Sequence, residues 1–122
     1  MKYIIVVKDS GEMNVHSYEP NHNITLEEWQ GYFGGNNIET VPSVFPGIEI
    51  LIDEEGKLKG LPVNAIATGL VHPSVADVLV GDAVLVSVKK NNLDGMNEKA
   101  MEFITGRVLE AVLEAEKEVR DV

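Results

Sequence analysis

The chain has 122 residues, no cysteine and a formal net charge of −10, from 20 acidic against 10 basic side chains. A chain of this length makes one domain with a core large enough to fold unaided, so residues 1–122 are read as a single domain. The lack of Cys removes disulfides, thiolate nucleophiles and Cys-based metal sites, in keeping with a cytoplasmic location; the acidity argues against a general DNA or RNA binder, whose affinity rests on Lys and Arg against phosphate.

The opening run Met1-Lys2-Tyr3-Ile4-Ile5-Val6-Val7 is apolar over the length of a strand. It is far too short to span a membrane or to form a signal-peptide core. Residues 2–8 and 13–18 predict a hairpin turning at Asp9-Ser10-Gly11-Glu12. Thr25-Leu26-Glu27-Glu28 has the spacing of a capping box, and Gly34-Gly35 supplies a left-handed stop, so a short helix is expected near 26–33. Leu26, Trp29, Tyr32 and Phe33 fall on one side of it and are expected in the core.

Residues 37–41 and 47–53 predict two more strands, followed by a turn at Glu54-Glu55-Gly56-Lys57. Gly60 and Pro62 then interrupt the expected alternation, because Gly loosens the backbone and Pro withdraws a ladder donor. The interruption places Lys59 and Asn64 on an irregular loop, where pockets are commonly built. Residues 75–80 and 83–89 predict strands joined at Gly81-Asp82, and Asn91-Asn92-Leu93-Asp94-Gly95 ends that pattern.

From about Met96 to Arg120 the spacing predicts one helix, with a stripe of Met101, Ile104, Val108, Ala111, Val112, Ala115 and Val119. The fold class is therefore α+β: a small antiparallel sheet with one short helix and one long C-terminal helix. About 24 residues at 1.5 Å each give a helix of roughly 36 Å, against a radius of gyration of about 14 Å for such a domain. A helix this long overshoots its own core, so a homo-oligomer, at least a dimer, is expected with the helix at its interface. Glu110, Glu114, Glu116, Glu118 and Asp121 outnumber Lys117 and Arg120 along it, which makes a solvated face or a surface for a basic partner.

No catalytic constellation can be assembled. His16, His22 and His72 have no metal-ligand spacing, no serine sits in a nucleophile elbow, and no glycine-rich phosphate loop is present. No enzyme activity, metal or cofactor is therefore expected. The groups that suit a ligand are Lys57 and Lys59, the amides of Asn64, Asn91 and Asn92, and Arg107 on the flank of the helical stripe, with Phe103 as an aromatic wall.

The stretches "YFGGNNIETVP", "DEEGKLKGLPVNAIA" and "VLVGDAVLV" resemble, in that order, an uncharacterised family of small proteins from phages and bacterial mobile elements that carries a "DEEGKLKGLPxN" motif. The likeness covers about residues 30–90 and implies a phage-type α+β fold. In size, small sheet and helical C-terminal end the chain also resembles, more loosely, the phage Thoeris anti-defence one family. Its members are sponges that bind cyclic ADP-ribose isomers without cleaving them. This implies a phage-encoded, non-catalytic sponge for a nucleotide immune signal, a cyclic ADP-ribose isomer or a cyclic oligonucleotide, acting in the host cytoplasm. The alternative is an acidic protein inhibitor of a basic host protein.

Overall fold

A computed structural model describes the backbone of residues 1–120; the side chains of Ala115, Val119 and Arg120, with residues 121 and 122, lie outside the description. Two stripe positions and the end of the expected acidic tail, Ala115, Val119 and Asp121, fall among these.

Six strands form one sheet. β1 (Lys2–Val7) pairs antiparallel with β2 (Met13–Tyr18) on one side and with β5 (Ala83–Lys89) on the other. β5 pairs onward with β4 (Ile48–Asp53), and β4 with β3 (Ile38–Pro42), giving the order β2-β1-β5-β4-β3. A short β6 (Asn92–Asp94) folds back on the end of β5. All these pairings are antiparallel, so the α+β architecture expected from the sequence is the one observed.

Both faces of the central strands are buried, which explains why β1, β4 and β5 read as near-continuous apolar runs. Ile5, Val7, Ile48, Ile50, Ile52 and Leu85 point to one face, where they pack with Ile104 and Val108 of helix α3 (Glu98–Arg120) and with Ala67 of helix α2 (Ala65–Gly69). Ile4, Val6, Leu51, Val84 and Val86 point to the other, under Trp29 and Phe33 from helix α1 (Leu26–Gly31) and the turn after it. The capping box forms as read: Thr25 Oγ1 accepts from the Glu28 amide at 3.2 Å, and the Glu28 carboxylate accepts from the Thr25 amide at 3.1 Å.

Three local expectations are corrected. Leu26 is 60% exposed, at the first position of a six-residue helix whose buried residue is Trp29. Residues 75–80 do not form a strand. They make one bridge, Val63 with Val80, and bury only Leu79. The chain enters the sheet just after Gly81, whose φ of +75° no branched residue adopts comfortably and whose missing Cβ makes room for Leu61 Cδ1 at 2.8 Å.

The third correction concerns Gly60, Pro62 and Asn64. Stacked turns over 53–61 carry the chain off the end of β4, with Gly60 at φ +68°. Pro62 has no amide hydrogen to donate, and its carbonyl accepts from the Gly81 amide at 2.7 Å. Asn64 is not on an open loop but buried at 1% exposure as the N-cap of the short helix α2.

Candidate ligand cleft

The β5–β6 connection is a two-residue turn, Lys90-Asn91, between the paired Lys89 and Asn92. Lys90 has φ +51° and Asn91 φ +66°, the left-handed pair that matches the twist of a tight hairpin. Asn tolerates this conformation; a Lys there carries a small steric cost. β6 leads to Gly95, where a Cβ would meet the Cβ and Cγ of Lys2 at 3.0 Å. That close approach lets Lys2 reach Asp94 at 2.8 Å, while Tyr3 and Met96 exchange backbone hydrogen bonds of 2.8 and 2.7 Å.

The result is a cleft of about 680 Å³ between the hairpin and the start of α1. Lys2, Lys89 and Lys90 line it together with Asn23, Asn91 and Asn92. Ile24, Leu26, Trp29 and Leu93 supply its apolar wall, and Asp94 is its one carboxylate. Burial alone would push the Asp94 carboxyl up. The hydrogen bond from Lys2, the Gly95 amide and the charges of Lys2 and Lys89 outweigh that and hold it below the ordinary range. Asp94 therefore stays ionised and is committed to Lys2. Lys89 and Lys90 make no ion pair among the described residues. In a chain of net charge −10 this cleft holds two uncompensated cations, in a volume suited to a small molecule.

The other flank of α1 is tied down. Tyr18 stacks on His22 with ring centroids 5.4 Å apart, and its hydroxyl meets that of Tyr32. His22 Nε2 lies 2.8 Å from the Glu28 carboxylate that also caps α1. Glu28 is held below the usual carboxyl range, first by the Thr25 amide and then by His22. Burial, then the contact with Tyr18, raises the Tyr32 phenol well above its ordinary value. This cluster fixes α1, and with it the wall of the cleft.

Of the residues named from sequence, Asn91 and Asn92 line the cleft. Lys57, Lys59 and Asn64 lie at the opposite end of the sheet, roughly 20 Å away along β5. Asn64 donates to the carbonyls of Val7 and Gly81, both at 2.9 Å, and accepts from the Ala67 amide at 3.0 Å, so its amide is spent inside the protein. Lys59 donates to the buried Asp53 at 2.7 Å, and Lys57 pairs with Asp77. Phe103 and Arg107 are exposed on α3, across the sheet from the cleft; Phe103 meets Phe45 edge to face at 6.1 Å.

The sequence reading missed Lys2, Asn23, Lys89, Lys90 and Asp94. The doublet Lys89-Lys90 beside Asn91-Asn92, in a chain so short of bases, was a signal it could have used. Among the described residues no group of three or more His, Cys, Asp or Glu could hold a metal ion, and no helix is long and apolar enough to cross a membrane.

A family model described as a domain of unknown function, DUF3846, matches residues 1–109, and the chain belongs to that family. The match ends one residue beyond Val108, the last buried side chain described on α3. No curated protein and no solved structure matches the chain.

Proposed function

We propose that this DUF3846 domain is a non-catalytic binder of a nucleotide-class signal, held in the cleft at the β5–β6 hairpin. The observation that carries the reading is the convergence of three lysines, three asparagine amides and an apolar wall in one cleft of an otherwise acidic protein. Phosphate oxygens suit the ammonium groups of Lys89 and Lys90, and amides both donate to and accept from a base edge or ribose. The net negative charge opposes an anion only at long range, and salt screens it beyond about 8 Å.

The likeness to the Thoeris anti-defence sponges narrows the class to a cyclic ADP-ribose isomer, with cyclic oligonucleotides as the nearest relatives. The biological role that follows is phage counter-defence in the host cytoplasm: the alarm signal is sequestered intact. Calorimetric titration of the pure protein with each signal tests this. Heating the complex should then release unaltered ligand. Absence of heat with every cyclic nucleotide tried, or recovery of a cleaved product, would overturn the reading.

A second reading, an acidic inhibitor of a basic host protein, rests on the exposed Glu110, Glu114, Glu116 and Glu118 of α3. It requires binding to a basic protein that survives Lys89→Ala with Lys90→Ala and fails when Glu110 and Glu114 become Gln.

A further inference from the structure

The helix α3 runs 23 residues, yet the last buried side chain described on it is Val108. Residues 109–120 extend about 18 Å further. Twelve residues are marginal as a free helix in water. Where α3 leaves the sheet it borders an apolar groove of about 360 Å³ against α2, lined by Ala65, Ile66, Leu70, Val108, Ala111 and Val112. In sequence the apolar stripe continues at Ala115 and Val119, and Glu116 borders the far end of the groove.

The charges on α3 are arranged to suit its own copy. Arg107 and Glu114, seven residues apart, lie on one side of the helix with Ala111 between them. Arg107 makes no ion pair among the described residues. If two α3 helices cross antiparallel near Ala111, each Arg107 lies alongside the partner's Glu114, and the contact occurs twice. Each copy also lends its projecting turns to the groove of the other, so one contact surface serves both chains, as a two-fold interface requires.

We propose that the α2/α3 groove and the projecting half of α3 form a homodimer interface, occupied by a second copy of this chain in antiparallel register. The groove supplies the apolar centre, and Arg107 with Glu114 form a rim that sets register. The ligand cleft lies across the sheet and stays open in this dimer.

Sedimentation equilibrium on the full chain tests it. The expected mass is twice 13.3 kDa. Arg107→Glu puts like charges together and should weaken the dimer roughly tenfold or more; adding Glu114→Arg to the same chain should restore it. Both positions are exposed, so neither change threatens the fold. Val112→Asp, at the centre, should give monomer. A wild-type monomer at the highest soluble concentration would overturn the proposal. So would a dimer indifferent to Arg107→Glu, or one that Arg107→Glu weakens and Glu114→Arg does not rescue.

Discussion

The two ends of the sheet carry the same kinds of side chain and use them in opposite ways. At the β4 end, Lys57, Lys59 and Asn64 are each answered from within the chain, by Asp77, by Asp53 and by two main-chain carbonyls. At the hairpin end, Lys89, Lys90, Asn91 and Asn92 surround a cleft in which only Lys2 has a carboxylate. A polar residue near an irregular turn is therefore ambiguous until its partners are known. At the β4 end both cations and the amide are paired within the chain, even where the turn is exposed; at the hairpin end Lys89 and Lys90 have no ion-pair partner among the described residues.

Asn64→Ala should have the largest effect of any single change at either end. Loss of the α2 cap costs about 1 kcal/mol, and each of the two carbonyls it strands in the interior about 1 kcal/mol or more. A melting temperature lower by about 10 °C or more is expected by calorimetry. Ligand affinity of the folded fraction should not change. A variant that melts like wild type would break the contrast, since Asn64 would then be as dispensable as a surface amide.

Lys89→Ala combined with Lys90→Ala should do the reverse. Each charge-assisted contact to phosphate contributes about 1.5–3 kcal/mol, so titration should show at least a ten- to hundredfold loss of affinity. The melting temperature should hold, because neither side chain has an ion-pair partner to lose among the described residues. Asn91→Ala separates the turn from the ligand: it should cost about 1 kcal/mol of stability at a left-handed position and also weaken binding.

How much of this was legible follows from the range of the forces involved. The hairpin at 9–12, the capping box at Thr25 and the stop at Gly34-Gly35 rest on neighbours a few residues apart, and each forms where it was read. Asn64 misled because its partners are Val7 and Gly81, 57 and 17 residues away. Nothing near it in sequence announces them, although an Asn before Ala-Ile-Ala is a readable N-cap. The run 75–80 has strand composition, but a strand needs a neighbour to pair with, and among the described residues this run makes a single bridge, to Val63. The cleft was half legible: Asn91 and Asn92 stood out as an amide pair, whereas Lys2 joins them only through the β1–β6 closure at Gly95.

Lys59→Ala should show a smaller, pH-dependent loss. Burial raises the Asp53 carboxyl, but the hydrogen bond from Lys59, the Glu55 amide and the Lys59 charge bring it below its ordinary value. A depressed folded-state carboxyl contributes stability above the pKa of the unfolded chain and loses it as the pH falls through the folded value. The wild-type advantage over Lys59→Ala should be about 1 kcal/mol at neutral pH and should fade as the pH drops below about 4. An advantage that is constant down to strong acid would mean that Lys59 acts through its aliphatic stem and not through Asp53.

Lys57→Ala should have the smallest effect, and it sharpens the comparison most because Lys57 lies two residues from Lys59 in the same turn. Its side chain and that of Asp77 are 58% and 52% exposed, against 33% and 8% for the Lys59–Asp53 pair. An exposed pair gains little in high dielectric, must fix two mobile side chains, and is weakened further by salt. Asp77 is held below its ordinary range first by the hydrogen bond from Lys57 and then by the Val78 amide. What the pair contributes is again present above the unfolded-state pKa and lost as the pH falls. Neutral-pH melting curves of Lys57→Ala and wild type should superimpose in physiological salt and separate slightly, if at all, in dilute buffer. A loss as large as that of Lys59→Ala would show that solvent does not screen this turn. Lys57 would then belong with the buried contacts of the β4 end, and burial would no longer explain why one lysine of the turn matters and its neighbour does not.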